Sequence, residues 1–412
     1  MAMSDSRNIF SGLKVVDLAS FIAGPAATTI LSDFGATVIK VEPPGIGDPY
    51  RYLYVTPPNP ISDRNYAWQL TNRNKRSIAL DLKRPEAKEV LERLIKWADV
   101  FVTNFPPAVK QRLGLDFESI RALNSRLIYA DVTGYGARGP ESDKPGFDVT
   151  AYWARTGLMQ VTHDEDSPPT LPIPGIGDHA TASTLYSAIV TGLYRREKTG
   201  QGGYVSTSLI AEGAWAAALW IEGGLNGAKF YPQHNRKTPP NALLNPYRTE
   251  DDRWLLLVAA QQKDWPGFLS AMGLESLQHD PRFADGKARI QHAGALVEIL
   301  DPVFAGKPLA HWKRVLDEGR VIFGVVQTAQ DILNDPQMIE NQIFMPIVDA
   351  SIGSKYTVSS PIQIAGSDKE SPRRAPGLGE HTLEVLHELG FSASEADGLC
   401  VAGAASQKSK DG

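Results

Sequence analysis

The fold is decided by residues 13–42, which read LKVVDLASFIAGPAATTILSDFGATVIKVE. Leu13–Leu18 is mostly apolar and contains adjacent valines, and Thr37–Val41 has the same character, so both segments predict buried strands. Between them, a helical stretch opens at Gly24 and runs through Phe34. A strand, a helix and a second strand make a βαβ unit, which implies a parallel sheet with a right-handed crossover.

The turn after the first strand separates this unit from a nicotinamide-binding fold. Glu42 ends the second strand, at the place of the acid that binds the ribose in dinucleotide folds. Residues 19–25, however, read ASFIAGP and lack the Gly-x-Gly-x-x-Gly spacing that lets a backbone approach a pyrophosphate. The sequence therefore predicts a Rossmann-like sheet and disfavours a nicotinamide-dependent oxidoreductase.

The alternation of strands and helices continues through the first half of the chain. Further strands are predicted at Ser77–Leu82, Val100–Thr103 and Leu127–Val132, with helical stretches between them. This pattern predicts an α/β fold in which residues 1–225 form the first part of a large Rossmann-like domain with a parallel sheet.

A change of pattern further along predicts a second, smaller domain. A polar, proline-rich break at 231–246 precedes a predicted hairpin that turns at 250–253, and helical stretches follow it. We take 226–325 as a small α+β domain and 326–412 as the return to the large domain, with a C-terminal helix and tail. The small and polar residues of about 402–412 predict a disordered end.

Composition and charge narrow the class of protein. The chain has 412 residues, 42% of them hydrophobic, with a net charge of −5 and a pI near 6.0, which argues against a general nucleic-acid binder. Cys400 is the single cysteine, so an intrachain disulfide and a cysteine-rich metal site are excluded. No apolar run approaches the roughly 18–20 residues of a membrane span, and the first residues lack the apolar core of a secretory signal. We therefore expect a cytoplasmic protein with no membrane or nucleic-acid partner.

The segment Gly-Ile-Gly-Asp-His-Ala-Thr-Ala (175–182) carries the first candidate for chemistry. It places Asp178 at the start of a helix that ends at Gly200. A helix N-terminus offers free backbone N–H groups and the positive end of the macrodipole. Two interpretations of Asp178 follow. It is either a helix cap, or a carboxylate that is ionised at pH 7, because its usual pKa is about 3.9, and that attacks a substrate carbonyl.

Short motifs spread over the whole chain resemble those of one family. In order and at the family's spacing they are LKVVDL (13–18), FGATVIKVE (34–42), NKRSI (74–78), GYG (134–136), GD (177–178), KTGQG (198–202) and LGEHT (378–382). The chain resembles the class III CoA-transferases of the CaiB/BaiF type, which include formyl-CoA transferase and carnitine CoA-transferase. The resemblance covers nearly the whole length.

The resemblance implies an enzyme that moves coenzyme A from an acyl-CoA thioester to a free carboxylic acid. Asp178 matches the family's nucleophilic aspartate, which forms a mixed anhydride and then an aspartyl-CoA thioester. No metal and no permanently bound cofactor are expected, since the CoA thioester is itself a substrate. The resemblance also implies a homodimer of ring-shaped subunits that interlock like chain links.

Further site residues are implied by the same resemblance. Lys83 and Arg112 would meet phosphate oxygens of CoA as charge-assisted donors. The residues implied for CoA binding are Phe21, Ile22, Leu80, Lys83, Asn104, Phe105 and Arg112. Those implied for the oxyanion and substrate pocket are Ala23, Tyr66, Tyr135, Gly136, Gly177 and Asn241.

Three positions depart from formyl-CoA transferase. Ile22, Pro43 and Thr133 stand where that enzyme has a glutamine, an arginine and a lysine. Its glycine-rich flap is also missing from this sequence, so oxalate and formate are disfavoured as substrates. Arg51 or Arg73 is the candidate for binding a second substrate carboxylate, and on that basis we expect a dicarboxylyl donor such as succinyl-CoA.

The sequence disfavours several other functions. The related α-methylacyl-CoA racemases need a histidine in a Gly-His-Asp stretch, but Phe147 stands at that place here and carries no proton. An inactive CoA-binding subunit of a hetero-oligomer is disfavoured by the presence of Asp178. A serine hydrolase would need a Gly-x-Ser-x-Gly elbow, which is missing. The segment 163–166 is interpreted as a solvated loop rather than a metal site, because prolines follow it.

Overall fold

The structure is a computed structural model that describes residues 8–165, 167–259, 262–349 and 355–407. The chain divides into two compact units. The first holds the described residues of 8–159, Leu171–Ile221 and 338–407, and the second holds those of Gln160–Thr170 and Glu222–Gln337. The predicted boundaries at 226 and 325 stay predictions, and the second unit defined by contacts is longer than that range at both ends.

The strands of the described residues, in chain order, are β1 (Lys14–Asp17), β2 (Thr37–Glu42), β3 (Arg76–Leu80), β4 (Val100–Thr103), β5 (Ile128–Thr133), β6 (Gly203–Ser208), β7 (Leu244–Arg248), β8 (Trp254–Val258), β9 (Ile322–Val325), β10 (Phe344–Pro346), β11 (Tyr356–Val358) and β12 (Ala405–Ser406).

The α-helices of the described residues are α1 (Ala23–Asp33), α2 (Tyr50–Leu53), α3 (Tyr66–Asn72), α4 (Ala87–Trp97), α5 (Pro107–Leu113), α6 (Phe117–Leu123), α7 (Leu158–Val161), α8 (Ile176–Thr199), α9 (Leu209–Ala216), α10 (Ala218–Leu225), α11 (Trp265–Met272), α12 (Gly286–Gln291), α13 (Ala293–Ala305), α14 (Leu309–Glu318), α15 (Ala329–Leu333), α16 (Pro336–Glu340), α17 (Thr382–Glu388) and α18 (Ala393–Val401). A π-helical turn spans Asp148–Ala154, and single 3₁₀ turns span Gln262–Asp264 and Glu275–His279. None of the helices in the described ranges is long and apolar enough to cross a membrane.

The first unit is built on one large sheet. Among the described residues its strands lie in the order β12-β3-β2-β1-β4-β5-β6, and β1 to β6 all run parallel. The prediction of a parallel sheet in an α/β fold is therefore confirmed. From β1 the chain moves through β2 to β3 on one side, and from β4 through β5 to β6 on the other. The order reverses between β1 and β4, where ligands bind in open α/β sheets.

Side chains that alternate along the strands divide the core of this unit into two layers. Val16 and Ile39 belong to a buried cluster that α4, α6 and α17 complete. Val15 and Val38, one residue earlier in each strand, belong to the cluster on the other face, where α1 and α8 pack. Because both faces are covered, the strands are continuous apolar runs rather than alternating ones, as expected of a parallel sheet.

The end of the chain differs from its prediction. Ala405 and Ser406 pair antiparallel with Leu80 and Ala79 and extend the sheet beyond β3. Ala404 and Ala405 are buried in the core. The expectation of disorder over 402–412 is therefore wrong for 402–407, because small side chains are what allow this segment to close an otherwise open sheet edge. Residues 408–412 lie outside the described part of the chain.

The second unit holds an antiparallel sheet of β7, β8 and β9. The predicted hairpin is present, with β7 and β8 joined across 249–253. The core of the unit is aromatic: the ring of Phe304 stacks on Tyr247 at a centroid distance of 4.7 Å and packs against Trp312 at 4.9 Å. Helices α11, α13 and α14 bury their apolar faces on this sheet.

A buried network of charges links β1 and β2 of the first unit. Lys40 forms ion pairs with Asp17 at 3.8 Å and with Asp48 at 3.0 Å, and Lys75 meets Asp17 at 2.9 Å. All four side chains are almost wholly buried. Burial alone would lower the pKa of Lys40, but these carboxylates raise it above its usual value, so the ammonium group stays charged.

The charged network also holds the backbone at Phe21 and Tyr50. The other carboxylate oxygen of Asp48 accepts the N–H groups of Phe21 at 3.1 Å and of Tyr50 at 3.0 Å. Phe21 has a φ of 67°, which a non-glycine residue adopts only when its surroundings hold it there. Asp48, which is paired with Lys40, thus holds the loop that follows β1 in this conformation.

We predict that Lys40→Met lowers the free energy of unfolding by about 3–5 kcal/mol, since it leaves two buried carboxylates without their shared cation. Chemical denaturation measures this loss. The matched control is Lys96→Met on the exposed face of α4, which should change stability by less than about 0.5 kcal/mol. Equal losses in the two variants would contradict a structural role for the network.

Candidate active site

Asp178 lies in the first turn of α8, where the sequence predicted it. The helix begins after Gly175, whose φ of 96° is open to glycine and to few other residues. It ends at Gly200, which has a φ of 73° and donates its N–H to Arg196. Asp178 is the third helical residue, and its side chain is partly buried. The cap position itself belongs to Gly175.

A different carboxylate caps this helix. Asp148 accepts the N–H of Gly175 at 2.5 Å and the N–H of Gly177 at 3.1 Å. It opens the π-helical turn and is only 3% exposed. Asp148 therefore satisfies free donors at the N-terminus of α8, and the capping interpretation of Asp178 does not hold.

Gly177 is required by this arrangement. A Cβ atom at this position would lie 2.3 Å from Cγ of Tyr152 and 2.4 Å from Oδ1 of Asp148, closer than atoms can approach. The N–H of Gly177 is also engaged by Asp148. The expectation that Gly177 stabilises an oxyanion is corrected accordingly: its missing side chain admits the capping carboxylate, and its N–H group is not free.

The ionisation of Asp178 also differs from expectation. Burial raises its pKa to about 7, and the negative charge of Asp148 adds to the rise. An ordinary aspartate would be fully ionised at pH 7, whereas the raised pKa means that this carboxyl group titrates near neutral pH. Two N–H groups at this end of the helix, those of Gly175 and Gly177, are taken by Asp148.

Asp178 faces a cavity of about 440 Å³ at the carboxyl ends of β1, β4 and β5. This is the point where the strand order reverses. We call it the Asp178 cavity. Of the residues that the resemblance implied, it brings together Phe21, Ile22, Ala23, Asn104, Phe105 and Asp178.

Asn104 ties the two loops of this cavity together. Its Nδ2 group donates to the carbonyl of Ser20 at 2.9 Å, and its Oδ1 accepts the N–H of Ser20 at 2.9 Å. The side chain, which follows β4, thus closes a two-point contact with the loop after β1. These two hydrogen bonds hold the backbone next to Phe21. A ligand could therefore contact only the second N–H of the Asn104 amide or the second lone pair of its oxygen.

Lys83 and Arg112 line a second cavity of the first unit, of about 640 Å³, beside α4 and α5. Arg84 and Lys88 line it as well, and we call it the basic cavity. The carboxylate of Glu92 also lines it, and four cations against one carboxylate leave a net positive surface that suits phosphate groups. Leu80, in contrast, is 1% exposed within the core, so its side chain is not open to a ligand, and the contact with CoA that the resemblance implied for this residue stays a prediction.

Four predicted pocket residues do not line the Asp178 cavity: Tyr66, Tyr135, Gly136 and Asn241. The hydroxyl of Tyr66 donates to the carbonyl of Pro60 at 2.9 Å. Gly136 donates its N–H to Oγ1 of Thr133 at 3.0 Å, so this donor is engaged. Asn241 belongs to the second unit, where its Oδ1 accepts a neighbouring N–H.

Asp148 and Tyr50 are among the polar residues of the cavity that sequence reasoning missed. Burial and the charge of Asp178 raise the pKa of the Tyr50 phenol, so its hydroxyl keeps its proton in the cavity that both residues line. Tyr50 comes from the proline-rich segment 43–65, where it begins the short helix α2. The sequence signal for Asp148 is the Gly-Phe-Asp stretch at 146–148. That stretch was interpreted only for Phe147, as evidence against a racemase.

His179 follows Asp178 in sequence but belongs to another cavity. It lies with Arg73 and Ser183 at a cavity of about 300 Å³ between α1, α3 and α8. Burial lowers the pKa of His179, and the charge of Arg73 lowers it further, so the ring is neutral at pH 7. Across the described ranges, no three His, Cys, Asp or Glu side chains come together as a metal site.

Comparison with known proteins identifies the family of the chain. The family model of CoA-transferase family III matches residues 10–382. Cinnamoyl-CoA:phenyllactate CoA-transferase of Clostridium sporogenes is 31% identical over 412 residues, which covers 96% of this chain and 97% of that protein. Succinyl-CoA:glutarate CoA-transferase of Mus musculus is 31% identical, covering 93% of this chain and 87% of that protein.

The fold is similar to a solved structure as well. The crystal structure of a CaiB/BaiF family protein from Brucella suis superposes with a TM-score of 0.80 at 28% identity, covering 93% of this chain and 99% of that one. The chain belongs to CoA-transferase family III. It is an enzyme that transfers coenzyme A, and acyl-CoA thioesters are its substrates.

We predict that Asp148→Asn moves the pH dependence of CoA transfer to lower pH. In the native protein, with Asp178 interpreted as the nucleophile, the rate should rise with pH through about 7, because the attacking form is the ionised one. Removing the charge of Asp148 removes one cause of the raised pKa, so ionisation is complete at a lower pH.

The measurement is the rate of CoA transfer as a function of pH. Asp116→Asn is the matched control, because Asp116 also caps a helix, α6, but does not line the Asp178 cavity. It should leave the midpoint in place. A midpoint that does not move in Asp148→Asn would mean that Asp148 has no electrostatic effect on the group that titrates.

Proposed function

We propose that this protein transfers coenzyme A from an acyl-CoA thioester to a free carboxylic acid through covalent intermediates on Asp178. The observation that carries the proposal is the setting of this carboxyl group. It is partly buried, has a pKa of about 7 and faces a cavity at the point of the sheet where the strand order reverses. A nucleophile shielded from water suits a reaction in which hydrolysis would destroy the thioester.

The first half of the reaction moves CoA onto the enzyme. Ionised Asp178 attacks the thioester carbonyl, the carbon–sulfur bond breaks, and a mixed anhydride forms with release of CoA thiolate. The thiolate then attacks the aspartyl carbonyl of the anhydride. The donor acid leaves as its carboxylate, and an aspartyl-CoA thioester remains.

The second half repeats these steps in reverse with the acceptor acid. Its carboxylate attacks the aspartyl thioester, which gives a new mixed anhydride and CoA thiolate. The thiolate attacks the acceptor's carbonyl, the new acyl-CoA forms, and Asp178 is regenerated as a carboxylate. Neither half changes the oxidation state of any group.

Each attack places negative charge on a carbonyl oxygen, which needs a donor. The Tyr50 hydroxyl is a candidate, since it is protonated and lines the same cavity as Asp178. The backbone N–H of Ala23 is another, because Ala23 begins α1 and the first N–H groups of a helix have no partner within it. The N–H of Phe21 is excluded, since Asp48 accepts it.

The nucleotide end of CoA is assigned to the basic cavity. Its phosphates carry several negative charges, and Lys83 and Arg112 are supported there by Arg84 and Lys88. The acyl end is assigned to the Asp178 cavity. For the donor, sequence reasoning favoured succinyl-CoA, a substrate named for the relative from Mus musculus, whereas the relative from Clostridium sporogenes is named for cinnamoyl-CoA.

We also propose that two copies of the chain form an interlocked homodimer. Support comes from large apolar side chains that the single chain leaves open: Trp215 is 78% exposed and Leu219 is 92% exposed on consecutive helices. Exposed apolar side chains of this size on neighbouring turns are typical of surfaces that another chain covers. The cytoplasmic location expected from the sequence stays a prediction.

The proposal predicts that acyl-CoA thioesters modify Asp178. After mixing with a thioester and trapping with hydroxylamine, peptide mass spectrometry should find the aspartyl hydroxamate on the peptide that contains Asp178. Asp178→Ala should lose the modification and at least about 10³-fold in transfer rate. The matched control is Asp164→Asn, an exposed loop aspartate, which should keep both.

A broad set of thioesters that bind but leave Asp178 unmodified would contradict the proposal. Exchange of the α-proton in deuterated water would then distinguish the two alternatives. Exchange would indicate a racemase, and its absence would indicate a CoA-binding subunit without activity.

A further inference from the structure

The walls of the Asp178 cavity are mainly carbon. Among the described residues that line it are the aromatic side chains of Phe21, Tyr50, Phe105 and Phe147 and the aliphatic ones of Ile22 and Leu53. The rings of Phe21 and Phe147 meet edge to face, with centroids 5.5 Å apart and planes at 86°. Such a pair presents both a ring face and a ring edge to a further apolar group.

The charges on these walls are mostly negative. Asp148 and Asp178 are both present, and Lys144 is the one cation among the described lining residues. Its ammonium group pairs with Oε1 of Glu141 at 2.7 Å and lies 5.1 Å from the ring centroid of Tyr135. A second carboxylate on a substrate would thus meet the carboxyl groups of Asp148 and Asp178 and a cation that already has a partner.

The guanidinium groups expected to bind such a carboxylate are also engaged. Arg51 pairs with Glu42 through Nε at 2.7 Å and Nη2 at 2.8 Å, and its guanidinium lies 3.8 Å from the ring centroid of Trp68. Arg73 is 2% exposed and binds both carboxylate oxygens of Asp33, at 2.8 and 2.6 Å. Drawing either group toward a ligand would leave a buried carboxylate unpaired, which is costly.

We infer that the acyl group bound next to Asp178 is apolar, that of an aromatic or branched aliphatic monocarboxylic acid rather than of a dicarboxylic acid. This inference rests on the proposed function and names its substrate class. An apolar chain loses little on leaving water and gains contact with the rings, whereas a terminal carboxylate would be desolvated among carbon atoms and like charges. It replaces the expectation of a dicarboxylyl donor, whose basis was a free Arg51 or Arg73.

The test compares two thioesters of equal chain length, pentanoyl-CoA and glutaryl-CoA, which differ by a terminal methyl or carboxylate group. With the full-length protein, the rate of Asp178 modification and kcat/KM of CoA transfer are measured for each. Pentanoyl-CoA should be favoured by at least about tenfold. Equal or faster reaction of glutaryl-CoA would overturn the inference while leaving the covalent mechanism in place. Failure of every thioester to modify Asp178 would instead overturn the proposed function on which the inference rests.

A substitution at the cavity wall tests the location of the acyl group. Leu53 is 36% exposed, so Leu53→Arg adds a cation without burying it fully. The ratio of glutaryl-CoA to pentanoyl-CoA activity should rise in this variant, by about tenfold for one new ion pair. Leu53→Met is the matched control and should keep the native ratio. A ratio that is the same in both variants would place the acyl chain outside this cavity and overturn the inference.

Discussion

The carboxylate of Asp148, bonded to the N–H groups of Gly175 and Gly177, is the interaction on which the site depends. It fixes where α8 begins and therefore where Asp178 lies. It takes up donors that would otherwise stabilise a negative charge on Asp178, and it adds a negative charge of its own. Two carboxylates thus share one helix N-terminus, one of them as the cap and the other with a pKa of about 7.

This division of roles has a chemical meaning for the proposed reaction. A carboxylate of ordinary pKa is a weak nucleophile, and one that is more basic attacks a carbonyl more readily. The cost is that the carboxyl group of Asp178 is protonated in a fraction of the protein molecules at neutral pH. Burial at the edge of an apolar cavity supplies the shift, and the same burial keeps water away from an anhydride or thioester formed there. One local arrangement therefore serves both nucleophilicity and protection from hydrolysis.

Much of the fold could be predicted because it follows from local patterns. The two apolar strands of residues 13–42, the hairpin in the second unit and the start of α8 are each encoded within a few turns of chain. Asp148 could not be assigned in this way, because it reaches Gly177 from 29 residues away in sequence. Tyr50 enters the site only because Asp48 holds its backbone, and β12 forms only because the edge of β3 is near. Contacts of this kind depend on the folded chain as a whole.

The central claim is that Asp178 takes part covalently in CoA transfer, and the most direct measurement follows oxygen atoms. The protein is incubated with an acyl-CoA thioester and the corresponding free acid, whose carboxylate carries a heavy oxygen isotope. In the mixed anhydride one carboxylate oxygen of the acid becomes shared with Asp178, and it stays on Asp178 when the new acyl-CoA leaves. The account predicts that the peptide containing Asp178 gains heavy oxygen with turnover, as seen by mass spectrometry. Labelled acyl-CoA product with an unlabelled Asp178 would contradict it, because the acid would then have attacked the donor thioester directly.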